Sequence, residues 1–396
     1  MTSDEHALSR RGFLRTAAAA AGVTAMGAAA SAQEEPKLPK RRIPGTDLDV
    51  SAIGYGTEFL ADRSIVDYLI GKGLNFIDTA PLYQEGEADR KLAPVLADHP
   101  GQIVLSTKMG RTAAVDGTTT KAEFLAEFEG SCERLQVSSA DILYLHDCRQ
   151  PEKVNSPGAY EAFRELRDAG RVRYFGMSTH LAQEACVRKA TELGWFDVLM
   201  VAWSFFSPAS LTDALQAAAD AGMGIIPIKV ARGLTEGEDW FTRATEEQRQ
   251  VLGTFDGSLY QRSIRWTLKH DFVGGVIMSV SNYDQIDENV AAAATPATQA
   301  DADALSRYAD AMSAHLCRGC GTCLQACPNQ VAIPDILRFR AYYRAYKQVY
   351  PAMAFYRRLP EQETYAACGR CGSCQAACPC NLSIPDYLED AHRLMA

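Results

Sequence analysis

Beyond residue 32 the chain has no apolar run approaching the roughly 20 residues that a transmembrane helix needs, so no stable membrane span is expected after removal of the N-terminus. Basic residues do not dominate. Lys and Arg number 40 against 49 Asp and Glu, a net charge of -9, which argues against nucleic acid as a partner. Cysteine is sparse until late: Cys132, Cys148 and Cys186 alone precede Cys317. Those three read as core or surface thiols, whereas the crowd that follows marks a separate metal-bearing module. The first strand–helix turn lacks G-x-G-x-x-G, the mark of a doubly wound dinucleotide domain. No flavin site is visible, and no tandem repeat beyond those described below.

The 396 residues exceed one small domain. At the N-terminus, Ser9-Arg10-Arg11-Gly12-Phe13-Leu14-Arg15 leads into an alanine-rich stretch and then Ala30-Ser31-Ala32. Charged segment, weakly apolar segment and small-residue cleavage site follow in the order of a twin-arginine (Tat) export signal. Export by the Tat machinery to the periplasm is therefore expected, with a mature chain starting at Gln33. The competing reading is an Ala-rich helix with chance arginines.

Residues 33–41 read as a linker, and Arg42 to Val50 as a hairpin turning at Pro44-Gly45. Eight apolar runs suited to buried parallel strands follow, near 52–56, 74–78, 102–107, 140–146, 173–177, 197–201, 224–229 and 275–280. Between them lie helical segments. Thr120-Lys121-Ala122-Glu123 is a capping box; Ser156-Pro157 reads as an N-cap with proline at the first helical position, and Gly170 as the close of that helix. Eight such units over roughly 250 residues predict a closed (β/α)8 TIM barrel, with an open doubly wound sheet as the alternative. The long segment 230–255 reads as a lid or cofactor clamp. The expected organisation is signal 1–32, linker 33–41, barrel 42–291, linker 292–304 and an α-helical cysteine module 305–396.

In a barrel, strand ends face the catalytic mouth. The second run ends at Asp78, with Tyr83 in the next loop; the third ends at Lys108 and the fourth at His146. A phenol near its ordinary pKa of about 10 is a poor acid at neutral pH. A close ammonium lowers it, a carboxylate holds the ammonium, and an imidazole orients a carbonyl oxygen. Such a site delivers a proton to oxygen.

Gly54-Tyr55-Gly56-Thr57, Asp78-Thr79-Ala80 with Tyr83, Lys108, and Asp141-Ile142-Leu143-Tyr144-Leu145-His146 resemble the aldo-keto reductase signature. The resemblance implies that Asp78, Tyr83, Lys108 and His146 form the catalytic tetrad, with Tyr83 as acid/base. It also implies an NAD(P)(H) site involving Thr57, Ser178, Trp203 as the stacking aromatic, Gln285 and Asn289. Lys229, ending the seventh run, is a pyrophosphate contact or a structural lysine. The chain departs from the family pattern where Thr179 replaces Asn, Met200 replaces Gln, and Ser279 and Gln285 replace cations. A 2′-phosphate would lose its usual partner there.

The C-terminal cysteines form C-x2-C-x2-C-x3-C-P twice, at Cys317, Cys320, Cys323, Cys327 and at Cys368, Cys371, Cys374, Cys378. That is the two-cluster [4Fe–4S] run, whose fourth cysteine serves the other cluster. The expected quartets are Cys317, Cys320, Cys323 with Cys378, and Cys368, Cys371, Cys374 with Cys327. Structural zinc and disulfides are the competing readings; Cys380 is a spare thiol beside the second run. The module resembles the ferredoxin-like domains appended to one branch of aldo-keto reductases. Between the runs, Arg338, Arg340, Arg344, Lys347, Arg357 and Arg358 interleave with five tyrosines, either as a docking face for an acidic redox partner or as a helix packed on barrel and clusters.

Together these readings predict an exported oxidoreductase acting on a carbonyl/alcohol pair, a sugar being one candidate, whose clusters exchange electrons with an outside carrier. Any nicotinamide would have to travel tightly bound. Two alternatives stand beside it: an electron-transfer protein using a weakly catalytic barrel as scaffold, and an ordinary NAD(P)H reductase with structural clusters.

Overall fold

The computed structural model describes residues 36–110, 118–235 and 258–396. The export-signal reading at 1–32 lies outside them, as does most of the segment read as a lid.

Lys40–Arg42 (β1) and Asp49–Ser51 (β2) form the antiparallel hairpin, with Gly45 at φ 75° in its turn. Eight parallel strands follow: Ile53–Gly56 (β3), Phe76–Asp78 (β4), Val104–Met109 (β5), Ala140–Leu145 (β6), Val172–Thr179 (β7), Val198–Ala202 (β8), Gly224–Ile228 (β9) and Val276–Met278 (β10). They close in the order β10-β3-β4-β5-β6-β7-β8-β9. All eight lie within two residues of the apolar runs at their starts and ends. Sheets covered by helices are buried on both faces, and this is why their sequence reads as continuous apolar segments.

The hairpin plugs the N-terminal end of the barrel. Ile43, Leu48 and Val50 join a buried cluster with the inward-facing Phe76, Ile142, Met200 and Ile226. At Gly224, which opens β9, a Cβ would stand 2.5 Å from the Ile43 side chain, so only glycine leaves room for the plug. The capping box at Thr120 forms as read and starts the helix Lys121–Leu135. The helix Pro157–Asp168 also starts where expected, but the Ser156 hydroxyl makes no capping bond and is buried without a partner among the described residues.

Two linker readings are corrected. Leu38 is buried, and its N–H donates to the Lys72 carbonyl (2.9 Å), so the chain is already part of the domain before residue 41. Most of 292–304 is helical: Tyr283–Ala293 ends inside it and Gln299–Met312 begins inside it. Ala and Gln are strong helix formers, and Thr298 with Asp301 makes a second capping box. Asp301 also accepts from Arg265 Nε (2.9 Å) and Nη2 (2.6 Å), fastening this helix to Leu259–Leu268 of the barrel wall.

The module is a doubled unit. Gly321 and Gly372, at φ 80° and 79°, open the short helices Thr322–Ala326 and Ser373–Ala376. Ile333-Pro334-Asp335 and Ile384-Pro385-Asp386 then begin the helices Ile333–Arg344 and Ile384–Met395, with proline where its missing N–H costs nothing. Ile336, Phe339, Leu388 and Ala391 form their shared core. The module sits over the C-terminal ends of the strands. Arg149 pairs with Asp335 (2.9 Å), Phe59 meets Tyr342 edge-on (ring centroids 5.8 Å), and Arg358 pairs with Glu85 (2.6 Å).

Candidate active site and cysteine centres

The tetrad residues are brought to one place. Asp78 ends β4 and Lys108 lies near the end of β5; the two side chains are buried and directly ion-paired. Ser106 Oγ donates to the other Asp78 oxygen (2.7 Å), and Lys108 Nζ donates to the Thr79 carbonyl (2.8 Å). Burial pushes the Asp78 pKa up and the Lys108 pKa down, while each partner opposes the shift of the other. The charges survive because each has its counter-charge and further hydrogen bonds. The Lys108 ammonium lies 4.7 Å from the centroid of the Tyr83 ring, and Tyr83 and His146 stand edge to face with centroids 6.2 Å apart. After Tyr83 the chain turns through Gln84 and Glu85, both at positive φ (52° and 58°). Such non-glycine conformations persist only when their surroundings hold them. Here Gln84 Nε2 donates to the Leu60 carbonyl and its oxygen accepts from Lys91, each at 2.8 Å.

Several of the residues expected to hold a nicotinamide are engaged by other residues of the chain. Trp203 is buried in the layer between strands and helices, against Trp266, His270 and Phe272, with its indole N–H donated to Thr212 (3.0 Å). It is a wall residue, and the stacking role is corrected. Lys229 is claimed by the module. Its ammonium lies 4.8 Å from the Tyr342 ring centroid and 5.8 Å from that of Tyr346, with Glu58 at 3.5 Å. Burial lowers the Lys229 pKa, but Tyr342 and Glu58 more than offset this and hold it above the lysine range. Thr57 donates to Thr79, which donates in turn to the buried Asp89 (2.9 and 2.7 Å). The Ser178 hydroxyl is buried and points to the Leu145 carbonyl (3.4 Å). Gln285 accepts from the Ser281 N–H (2.9 Å), while Asn289 lies half-buried on the same helix.

Between mouth and module lies a buried charge network that the sequence reading passed over. Glu58, Asp147 and His180 each directly follow a residue already singled out, at the ends of β3, β6 and β7; that adjacency was the available signal. His180 Nδ1 lies 3.1 Å from Asp147 Oδ1, and Arg149 and Arg338 lie 3.5 and 3.9 Å from Asp147. Arg338 in turn donates to Asp335 (2.6 Å). Burial pulls the Asp147 carboxyl up, but His180, Arg149 and Arg338 hold it well below the carboxylate range. Burial lowers His180 against the pull of Asp147.

The cysteines form two hollows in the crossed pattern. Cys317, Cys320, Cys323 and Cys378 line one; Cys368, Cys371, Cys374 and Cys327 line the other. All twelve cysteines are free thiols. A single tetrahedral zinc would draw four sulfurs to about 2.3 Å from one point; among the described residues no three potential ligands converge in that way. Four thiols around an open volume suit a larger group such as a [4Fe–4S] cluster. Of the basic residues between the runs, Arg340 and Arg344 pair with Asp390 and Arg338 with Asp335, whereas Lys347, Arg357 and Arg358 are exposed.

Residues 57–310 match the Aldo/keto reductase family model, and residues 316–383 match the 4Fe-4S dicluster domain model. The uncharacterized oxidoreductase YqkF of Bacillus subtilis is 25% identical, over 65% of this chain and 91% of its own. Pyridoxal 4-dehydrogenase of Microbacterium luteolum is 24% identical, over 63% of this chain and 92% of its own. Among solved structures, an aldo-keto reductase from Bacillus halodurans in its holo form superimposes with a TM-score of 0.58 at 25% identity, covering 69% of this chain and 97% of that one. The family match extends past the last barrel strand to the helix that leads into the module, so this chain belongs to the aldo/keto reductase family, as an oxidoreductase with a 4Fe-4S dicluster domain at its C-terminal end.

Proposed function

We propose that the chain oxidises or reduces a small-molecule carbonyl/alcohol pair, with Tyr83 as the proton donor or acceptor at oxygen, and that its two cysteine quartets hold [4Fe–4S] clusters exchanging those electrons with an external carrier. When bound, such clusters exchange one electron each, so two sites match the two electrons that separate an alcohol from its carbonyl. One observation carries the reading. The helix Ile333–Arg344 turns Pro334 and Leu337 to the hollow of Cys317, Cys320, Cys323 and Cys378, and Asp335, Arg338 and Tyr342 to the barrel mouth. A single helix, about 10 Å across with its side chains, lies between the two. The chemistry named for the Microbacterium relative supports a hydroxyl or carbonyl substrate.

In this reading Lys108 lowers the cost of a phenolate at Tyr83, Asp78 (itself held by Ser106) and the Thr79 carbonyl fix the ammonium, and His146 faces the same ring to orient the substrate oxygen. The twin-arginine segment supports export of the folded, cluster-loaded chain to the periplasm, which fractionation of the native host tests. A second reading, electron transfer with the barrel as scaffold, is favoured by the commitment of Trp203 and Lys229 to other partners. Tyr83→Phe separates the two. In anaerobically purified protein with counted iron, substrate-dependent bleaching of the clusters should fall at least a hundredfold, the scale of a lost general acid. Bleaching that survives Tyr83→Phe would sink the first reading. Denaturing the same sample and identifying any released nucleotide tests for a bound nicotinamide.

A further inference from the structure

The two quartets are built alike, yet their surroundings differ at two matched positions. The first difference concerns the arginine between the first two cysteines of each run. At the quartet of Cys368, Arg370 is neutralised twice, by Asp386 (2.8 Å) and Glu389 (2.5 Å). Both arginines line their hollows, and at the quartet of Cys317 the counterpart is Arg318. It stacks on the barrel's Phe206 at 5.2 Å, has no carboxylate partner among the described residues, and its buried Nε lacks any hydrogen-bond acceptor there.

The second difference lies two residues beyond the fourth cysteine of each run. At the Cys368 quartet this residue is Asn329, which lines the hollow but donates its amide to the Ala367 carbonyl (2.6 Å). At the Cys317 quartet it is Cys380, a buried thiol that lines the hollow together with Cys378. This quartet is also the one against the barrel: Gly319 and Gly321 lie on Arg232, Gln183 and Ala182.

Adding an electron to a cluster adds negative charge. A nearby cation without a counter-charge and a thiol S–H lining the cluster's hollow both stabilise the reduced state. We infer that Arg318 and Cys380 give the barrel-side site the higher reduction potential of the pair, so that an electron entering at the far quartet settles next to the barrel. The module is then biased toward delivering electrons to the mouth rather than withdrawing them. This rests on the cluster reading of the two quartets, and Arg318 and Cys380 act as positioning residues for charge rather than as ligands.

The test is an anaerobic, EPR-monitored redox titration of the full-length holoprotein, with iron counted first. Eight irons per chain establish the clusters; fewer in the wild type overturn the cluster reading itself. With eight present, the inference requires two midpoints separated by at least a tenfold preference of one electron for one site, about 59 mV for a one-electron couple. Arg318→Gln and Cys380→Asn, the latter copying the far site, should each lower the higher midpoint and leave the lower unchanged. Arg318→Lys and Cys380→Ser, which keep charge and donor, should retain most of the gap. Equal midpoints in the wild type, or variants that move only the lower midpoint, overturn it. Loss of half the iron in both Cys380→Asn and Cys380→Ser also overturns it, because Cys380 would then be a ligand.

Discussion

Along the rim from β4 to β5 the buried ion pair is held by the barrel alone. Asp78, Ser106, Lys108 and the Thr79 carbonyl satisfy one another within two adjacent strands. Around the rest of the rim, at the ends of β3, β6 and β9, the partners come from beyond residue 330: Phe59 meets Tyr342, Arg149 meets Asp335, and Lys229 meets Tyr342 and Tyr346. The first sector is a self-sufficient buried ion-pair cluster. The second is shared with the module, and there the side chains expected to bind a nicotinamide have taken other partners.

Lys108→Met should produce the largest effect, because it leaves Asp78 buried without its counter-charge. A loss of about 3–5 kcal/mol is expected for one partner removed from a buried pair, read as a lower urea midpoint with unchanged slope. Adding Asp78→Asn should restore part of it, since the uncompensated charge is gone. A single-variant loss below about 1 kcal/mol, the scale of an exposed pair, would mean that this sector does not stand on its own and the contrast between the two halves would fail.

That contrast also marks what was legible in the sequence. Strand ends and metal-binding runs are local: Asp78, Lys108 and His146 each terminate an apolar run, and the cysteine spacing is a motif, so barrel, tetrad and crossed quartets could be read directly. The fate of Lys229 depends on Tyr342, over a hundred residues later, and no periodicity reports such a contact. Trp203 misled because the resemblance made it the stacking aromatic, whereas its ring turns to the helices. The segment at 292–304 misled for a different reason: its composition was read as loose polar chain, although Ala and Gln favour helix and a capping box waited at Thr298.

An intermediate effect is expected at Asp301, which ties the helix leading into the module to the barrel wall. The Arg265 guanidinium and the capping box hold this carboxyl down to about 2, against about 3.9 in an unfolded chain. A folded-state value below the unfolded one adds stability that is complete above about pH 4 and lost as pH falls toward 2. Asp301→Asn should therefore cost about 2 kcal/mol at pH 7, and the gap between variant and wild type in urea should narrow steadily below pH 4. A gap independent of pH would show that the tether works through packing rather than charge.

The smallest effect should come from Trp203→Phe, and its smallness is the point. Phenylalanine keeps a ring among Trp266, His270 and Phe272 but gives up the hydrogen bond to Thr212. The half-buried hydroxyl it leaves can turn to water, so the cost should be about 1 kcal/mol, seen in urea denaturation. If Trp203 is a wall residue, turnover per loaded chain and any co-purifying nucleotide should match the wild type. If instead the indole swings into the mouth during the reaction, the same change should lower turnover more than stability. The ratio of those two losses decides whether the module-facing half of the mouth is a cofactor site in another conformation or has been given over to holding the module.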